Sequence, residues 1–115
     1  MVSIQANTYS FPVKQNNDFI EDIRHEIFFL LLLVDPKTSK EYDNVDINEA
    51  FDNTIDRIFG YNKLLGESLP VINTLTMLKS AQSEYNKPDS EFNYKRYRKL
   101  ILDSGNEIMR AKVGD

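Results

Sequence analysis

Apolar residues along the chain recur mostly at helical spacing. Ile20, Ile23, Ile27, Leu30, Leu31 and Val34 follow a period of 3.6, and Asn17, Asp18, Glu21 and Asp22 ahead of them suit the positive end of a helix. A first helix is predicted over 17–35, stopped by Asp35-Pro36 because the residue before proline is pushed out of helical geometry. Asp46, with Glu49 three positions on, opens a second helix over 46–65, which carries Ile47, Phe51, Ile55, Ile58 and Phe59 on one face. Gly60 either stops it or lets it pack closely, and Leu64-Leu65-Gly66 suggests a last turn with a glycine end. Ser68-Leu69-Pro70 reads as a cap with proline in the first turn of a third helix, 69–86, ended by Asn86-Lys87-Pro88. A fourth helix over 89–112 begins near Asp89 or Ser90 and carries Phe92, Tyr97, Leu100, Ile101, Ile108 and Met109, with Ser104-Gly105-Asn106 as a break or kink.

Ahead of these helices the period changes. Val2 and Ile4 alternate, as do Tyr9, Phe11 and Val13, around Gln5-Ala6-Asn7-Thr8. This predicts an N-terminal arm over 1–15, either a β-hairpin with Pro12 on an edge strand or an extended segment packed on the helices. The expected fold is therefore all-α or mostly α, a single-domain four-helix bundle with that arm. Its expected core is Ile23, Ile27, Leu30, Leu31, Val34, Phe51, Ile55, Ile58, Leu75, Leu78, Tyr97, Leu100, Ile101 and Ile108.

One segment departs from simple amphipathicity. Ile27 through Val34 is an unbroken apolar run of eight residues, so the first helix is apolar all round there. Phe28, Phe29, Leu32 and Leu33 cannot all point where Ile27, Leu30, Leu31 and Val34 point. Those four are the expected interface to a protein partner or a second copy, an exposed patch of that size marking association, although the N-terminal arm is an alternative cover. A run of eight falls far short of the ~20 residues a membrane span needs. No basic stretch precedes an apolar one at the N-terminus, so no secretory signal is expected and a cytoplasmic location is, with a signal already removed left open.

Composition narrows the function classes. The 115 residues include no Cys, which removes disulfides and thiolate chemistry, and only 4 Gly and 4 Pro, which removes collagen-like and Pro-rich classes. The net charge of −4 is unevenly spread: residues 1–57 carry 5 basic and 11 acidic groups, whereas residues 87–115 carry 7 and 5. A global nucleic-acid binder would be basic overall. The local exception is Tyr94-Lys95-Arg96-Tyr97-Arg98-Lys99, four cations and two aromatics in six residues. Tyr94, Lys95, Arg96, Arg98 and Lys99 are the candidate nucleic-acid contacts, neutralising phosphates while tyrosine stacks on bases. The competing reading is a solvated flank, with Tyr97 in the core and the cations paired with Glu91, Asp103 or the acidic second helix.

Enzymatic chemistry finds no positive support. His25 is the single histidine, and Asp22 and Glu26 lie within helical reach of it, but a carboxylate-bridged metal bundle needs two such motifs and further carboxylates. No metal or cofactor is expected. Glu49, Asp52 and Asp56 sit opposite the apolar face, where nothing raises a carboxyl pKa for acid–base work. The glycines at 60, 66, 105 and 114 fit no phosphate-loop spacing, and no serine has an activating neighbour in sequence.

The opening Met1-Val2-Ser3-Ile4, the Tyr9-Ser10-Phe11 strand, and Phe51 through Ile58-Phe59-Gly60 loosely resemble small phage tail-assembly-chaperone-type proteins, over about half of the chain. The resemblance implies a non-catalytic factor that binds structural proteins during assembly, and it carries over no functional residue. The aromatic-basic terminal helix is similar to those of the small helical subunits of CRISPR effector complexes, which implies nucleic-acid contact. The function expected from the sequence is a non-enzymatic interaction or assembly module, with a nucleic-acid-contacting subunit as the alternative.

Overall fold

The computed structural model describes residues 13–64 and 68–113, so the expected hairpin or arm at 1–12 and the glycine end at Gly66 lie outside the described residues. Four α-helices follow one another: α1 (Val13–Leu32), α2 (Ile47–Leu64), α3 (Leu69–Tyr85) and α4 (Tyr94–Met109), with one 3-10 turn at Ser39–Tyr42 between the first two. No strand occurs among the described residues. Each helix packs mainly on two others, in the cyclic order α1–α2–α3–α4. Contacts between opposite ends make every neighbouring pair antiparallel. Tyr61 late in α2 reaches Asn16 early in α1, Asn86 after α3 reaches Asn48 early in α2, Glu107 late in α4 reaches Asn73 early in α3, and Tyr97 early in α4 reaches Leu30 late in α1. The fold is an all-α, up-down four-helix bundle, as the periodicity predicts.

The core is one stripe from each helix. Ile20, Ile23, Ile27 and Leu30 of α1 meet Phe51, Ile58 and Tyr61 of α2, Val71, Leu75, Leu78 and Ala81 of α3, and Tyr97, Ile101 and Ile108 of α4. Each such side chain contributes roughly 1.5–3 kcal/mol by leaving water. Leu31, Val34, Ile55 and Leu100, expected in the core, are only partly buried and pack on its edge.

Helix ends show where local signals decided and where tertiary contacts overrode them. Asp46 accepts from the Glu49 N–H at 3.1 Å and Ser68 from the Val71 N–H at 3.4 Å, so α2 and α3 start where their capping residues predict. The start of α1 does not. Asn17 was expected to cap it, but its side chain is engaged elsewhere, accepting from the Val113 N–H at 2.9 Å and donating to the Val113 carbonyl at 3.0 Å. Buried Asn16 donates to the Ala111 carbonyl at 3.4 Å. Both asparagines thus tie the end of the chain to α1, and residues 13–15, expected in the arm, are helical.

The other end of α1 stops at Leu32, short of the expected Asp35, and all four of its last carbonyls find donors. The Leu33 N–H serves Phe29 at 3.1 Å, the Tyr97 hydroxyl serves Leu30 at 2.6 Å, the Val34 and Asp35 N–H groups serve Leu31, and the Thr38 hydroxyl serves Leu32 at 2.7 Å.

The fourth helix also differs from expectation. It starts at Tyr94 rather than Asp89, because residues 88–92 turn back on the Pro88 carbonyl and Asn93 provides the cap, accepting from the Arg96 N–H at 3.0 Å. Gly105 does not break it, and the helix runs on to Met109. Phe28 of α1 lies against this glycine so closely that a β-carbon there would sit 2.7 Å from the ring Cζ and nearer still to Cε1. Gly60 likewise leaves α2 uninterrupted.

Candidate interaction surfaces

The apolar run of α1 is divided by the bundle. Ile27, Leu30 and Leu33 turn inward, Phe28, Leu31 and Val34 lie half-buried at the edge, and Phe29 and Leu32 remain 37% and 39% exposed. Leu33, expected at the interface, is only 3% exposed and belongs to the core. Leu33 follows Leu30 by three positions and its N–H still makes the helical bond to the Phe29 carbonyl at 3.1 Å, so it continues the inward stripe of Ile20, Ile23, Ile27 and Leu30. Phe28, Phe29 and Leu32 remain together. With His25, Leu31 and Leu102 of α4 they line a shallow groove of about 340 Å³ that contains no carboxylate, ammonium or guanidinium group.

His25, Phe28, Phe29 and Leu32 stand at i, i+3, i+4 and i+7, one stripe of a helix. The floor of the groove is set from α4, where Gly105 makes room for the Phe28 ring and Leu102 borders it. Above the same ring sits the Arg24 guanidinium, 4.9 Å from its centroid. Phe29 is held at the other side by an edge-on contact with Tyr42 at 5.1 Å between centroids. Sequence reading found the phenylalanines but not Leu102, which carries no distinguishing local pattern.

The basic segment of α4 is divided as well. Tyr97 is fully buried, as the solvated-flank reading has it. Tyr94 is half-buried, with its hydroxyl donating to Asp35 at 2.9 Å, so its ring is fixed against the α1 end rather than offered to a base. The Lys37 N–H and this hydroxyl hold the Asp35 carboxyl below its usual value. Lys95 and Arg98 are exposed and make no ion pair among the described residues. Arg96 and Lys99 turn the other way, toward α3.

There the sequence reading missed half of the surface. α3 presents Thr76, Lys79, Ser80 and Ser83, spaced so that a helix puts them on one flank, and Lys87 follows just beyond its end. Together with Arg96, Lys99, Leu100 and Asp103 of α4 they line an open groove of about 680 Å³. The 3.6-residue recurrence of short hydroxyl and lysine side chains was the available signal.

At one end of this groove is Glu84, a carboxylate only 2% exposed. It accepts from the Asn93 N–H at 2.8 Å and from Lys87 at 3.0 Å, and Arg96 lies 3.7 Å away. The Asn93 N–H first, then Lys87, holds its carboxyl below the ordinary glutamate value. Lys99 pairs with Asp103 at 2.7 Å, the partner expected for it.

Among the described residues no group of three His, Cys, Asp or Glu side chains is placed to hold a metal, and no helix is long and apolar enough to cross a membrane. Comparison with protein-family models, with curated proteins and with solved structures finds no match to this chain.

Proposed function

We propose that this chain is a non-enzymatic interaction or assembly module, working in the cytoplasm, whose docking surface is the α1 groove around Phe28, Phe29 and Leu32. The observation that carries this reading is the exposed stripe of large apolar side chains over a groove lined by no carboxylate, ammonium or guanidinium group. A concave surface made almost wholly of apolar side chains repels a polar segment by its desolvation cost and accepts an apolar one. The i, i+3, i+4, i+7 stripe matches the ridge spacing that receives a helix, so the occupant is the apolar face of an amphipathic helix of another protein. The resemblance to tail-assembly chaperones, which implies a factor binding structural proteins, agrees with this reading.

The test is copurification of the full chain with and without Leu32→Glu. Leu32 is exposed, so the variant keeps the fold, which circular dichroism verifies. A partner retained by the native chain and by Lys95→Gln, and lost with Leu32→Glu, is the expected outcome. Identical copurification by all three overturns the proposal. Concentration-dependent mass abolished by Leu32→Glu, with no other protein bound, replaces the partner helix with a second copy.

A second reading rests on Lys95 and Arg98, which stand exposed on one flank of α4 and make no ion pair among the described residues. Nucleic-acid contact would begin there, with Arg96 and Lys99 adding charge. Retention on immobilised nucleic acid that falls steeply with salt supports it, and no retention at low salt removes it.

A further inference from the structure

We propose that the groove between α3 and α4 binds a small phosphorylated ligand, with Lys79, Lys87, Arg96 and Lys99 contacting the phosphate. This is independent of the α1 docking surface and lies on another side of the bundle.

The charge balance gives the first reason. Four cations line the groove against two carboxylates, Glu84 and Asp103. The groove is therefore left with two uncompensated positive charges, in a chain whose net charge is −4. A phosphate monoester at neutral pH carries about −1.5 to −2 and matches that excess.

The second reason is that part of the site is already held in place. The two Glu84 oxygens are occupied by the Asn93 N–H and Lys87, with Arg96 beside them, so the buried carboxylate anchors the cations rather than facing the ligand. Cations held before binding lose less side-chain entropy when they bind. Lys79 makes no ion pair among the described residues and keeps all three of its donors. Ser80 and Ser83 stand exposed on the same flank, and hydroxyl donors of this kind complete a phosphate's hydrogen-bond shell.

The third reason separates a compact ligand from a polynucleotide. A strand of nucleic acid needs cations strung along a track. Only Arg96 and Lys99 of the basic α4 segment line this groove, while Lys95 and Arg98 do not. The four groove cations come from α3, the turn just after it and α4, and they line one groove. Leu100 supplies an apolar wall against which the organic part of a phosphate ester can lie.

The experiment is nuclear magnetic resonance titration of the full chain at low salt with inorganic phosphate, with adenosine monophosphate and with a single-stranded oligonucleotide. Saturable shifts centred on α3 and α4 groove residues are expected with adenosine monophosphate, and weaker ones with inorganic phosphate. Lys79→Gln removes one charge-assisted contact and weakens binding about tenfold. Lys95→Gln, outside the groove, leaves binding unchanged. Lys79 is exposed and unpaired, so its substitution does not threaten the fold. No saturable shift with either small phosphate overturns the proposal. So does binding of the oligonucleotide alone, weakened equally by Lys79→Gln and Lys95→Gln, which assigns the cations to a nucleic-acid surface instead.

Discussion

Replacing Gly105 with alanine tests how the α1 groove is built. In most helices this substitution stabilises by about 1 kcal/mol, since glycine loses more backbone freedom on folding. Here the new β-carbon would stand 2.7 Å from Cζ of Phe28 and closer to Cε1. Carbon atoms pack at about 3.5–4.0 Å, so the ring must withdraw by about 1 Å or more. The ring is half-buried and its outer side is the groove, so it has somewhere to go. Leaving α4 costs about half of a full phenylalanine burial, about 1–1.5 kcal/mol, and about 0.5 kcal/mol more as the Arg24 stacking at 4.9 Å loosens.

Against the helix gain of about 1 kcal/mol, the net result is a destabilisation of about 0.5–1 kcal/mol. The decisive measurement is a double-mutant cycle by urea unfolding. In a Phe28→Ala background no ring remains to be displaced, and Gly105→Ala becomes stabilising by about 1 kcal/mol. The sign reverses between the two backgrounds. An equal cost of Gly105→Ala with and without Phe28 would refute the reasoning, because the strain would then come from α4 itself.

Tyr97→Phe removes the hydroxyl that serves the buried Leu30 carbonyl at 2.6 Å; a loss of about 1–3 kcal/mol is expected in thermal unfolding, and native stability would show that carbonyl satisfied another way. The Glu84 carboxyl is held below its unfolded value of 4.5, so its contribution is fully present above that pH and is lost as the pH falls through the lower folded value; acid titrations should show Glu84→Gln unfolding with a shallower acid limb than the native chain. Burial raises Tyr61 from 10.0 to about 12 and pushes Tyr97 up as well. The folded state then holds more protons than the unfolded state above pH 10.0, and stability should decline as pH rises from there toward about 12, followed by phenolate absorbance. A tyrosine titration complete at the ordinary value in the folded protein would contradict this.

Sequence alone was informative wherever a signal was local. Asp46 with Glu49, and Ser68 with Pro70, define their helix starts from within one turn, and the Ile20–Ile23–Ile27–Leu30 spacing defines the inward stripe. Signals that depend on a distant residue were not legible. Asn17 has the chemistry of a cap, but Val113 takes its side chain. Asp89 and Ser90 could each open α4, yet the helix waits for Asn93, whose N–H is held by Glu84 on the preceding helix. Spacing extends the inward stripe of α1 equally to Leu33 at i+3 or Val34 at i+4, and only the packed bundle shows that Leu33 takes the core place while Val34 stays at the edge. Gly105 likewise reads as a break until Phe28 is seen against it. The α3 half of the cationic groove was visible in spacing, but its significance depends on α4 lying alongside.

The bonds at the two ends of α1 bear on how the chain acquires its shape. Tyr97 follows Leu30 by 67 residues, and Val113 follows Asn17 by 96. Both clasps on the first helix are supplied by α4 and the residues that follow it. Residues 33–38 can serve the Phe29, Leu31 and Leu32 carbonyls early in synthesis, but the Leu30 carbonyl has no partner until Tyr97 of α4 arrives. Such long-range closure slows folding relative to a bundle joined through near neighbours. The fit of α1 into the bundle is thus completed by α4 and the residues just after it, which makes docking of that helix the step that closes both ends of the first.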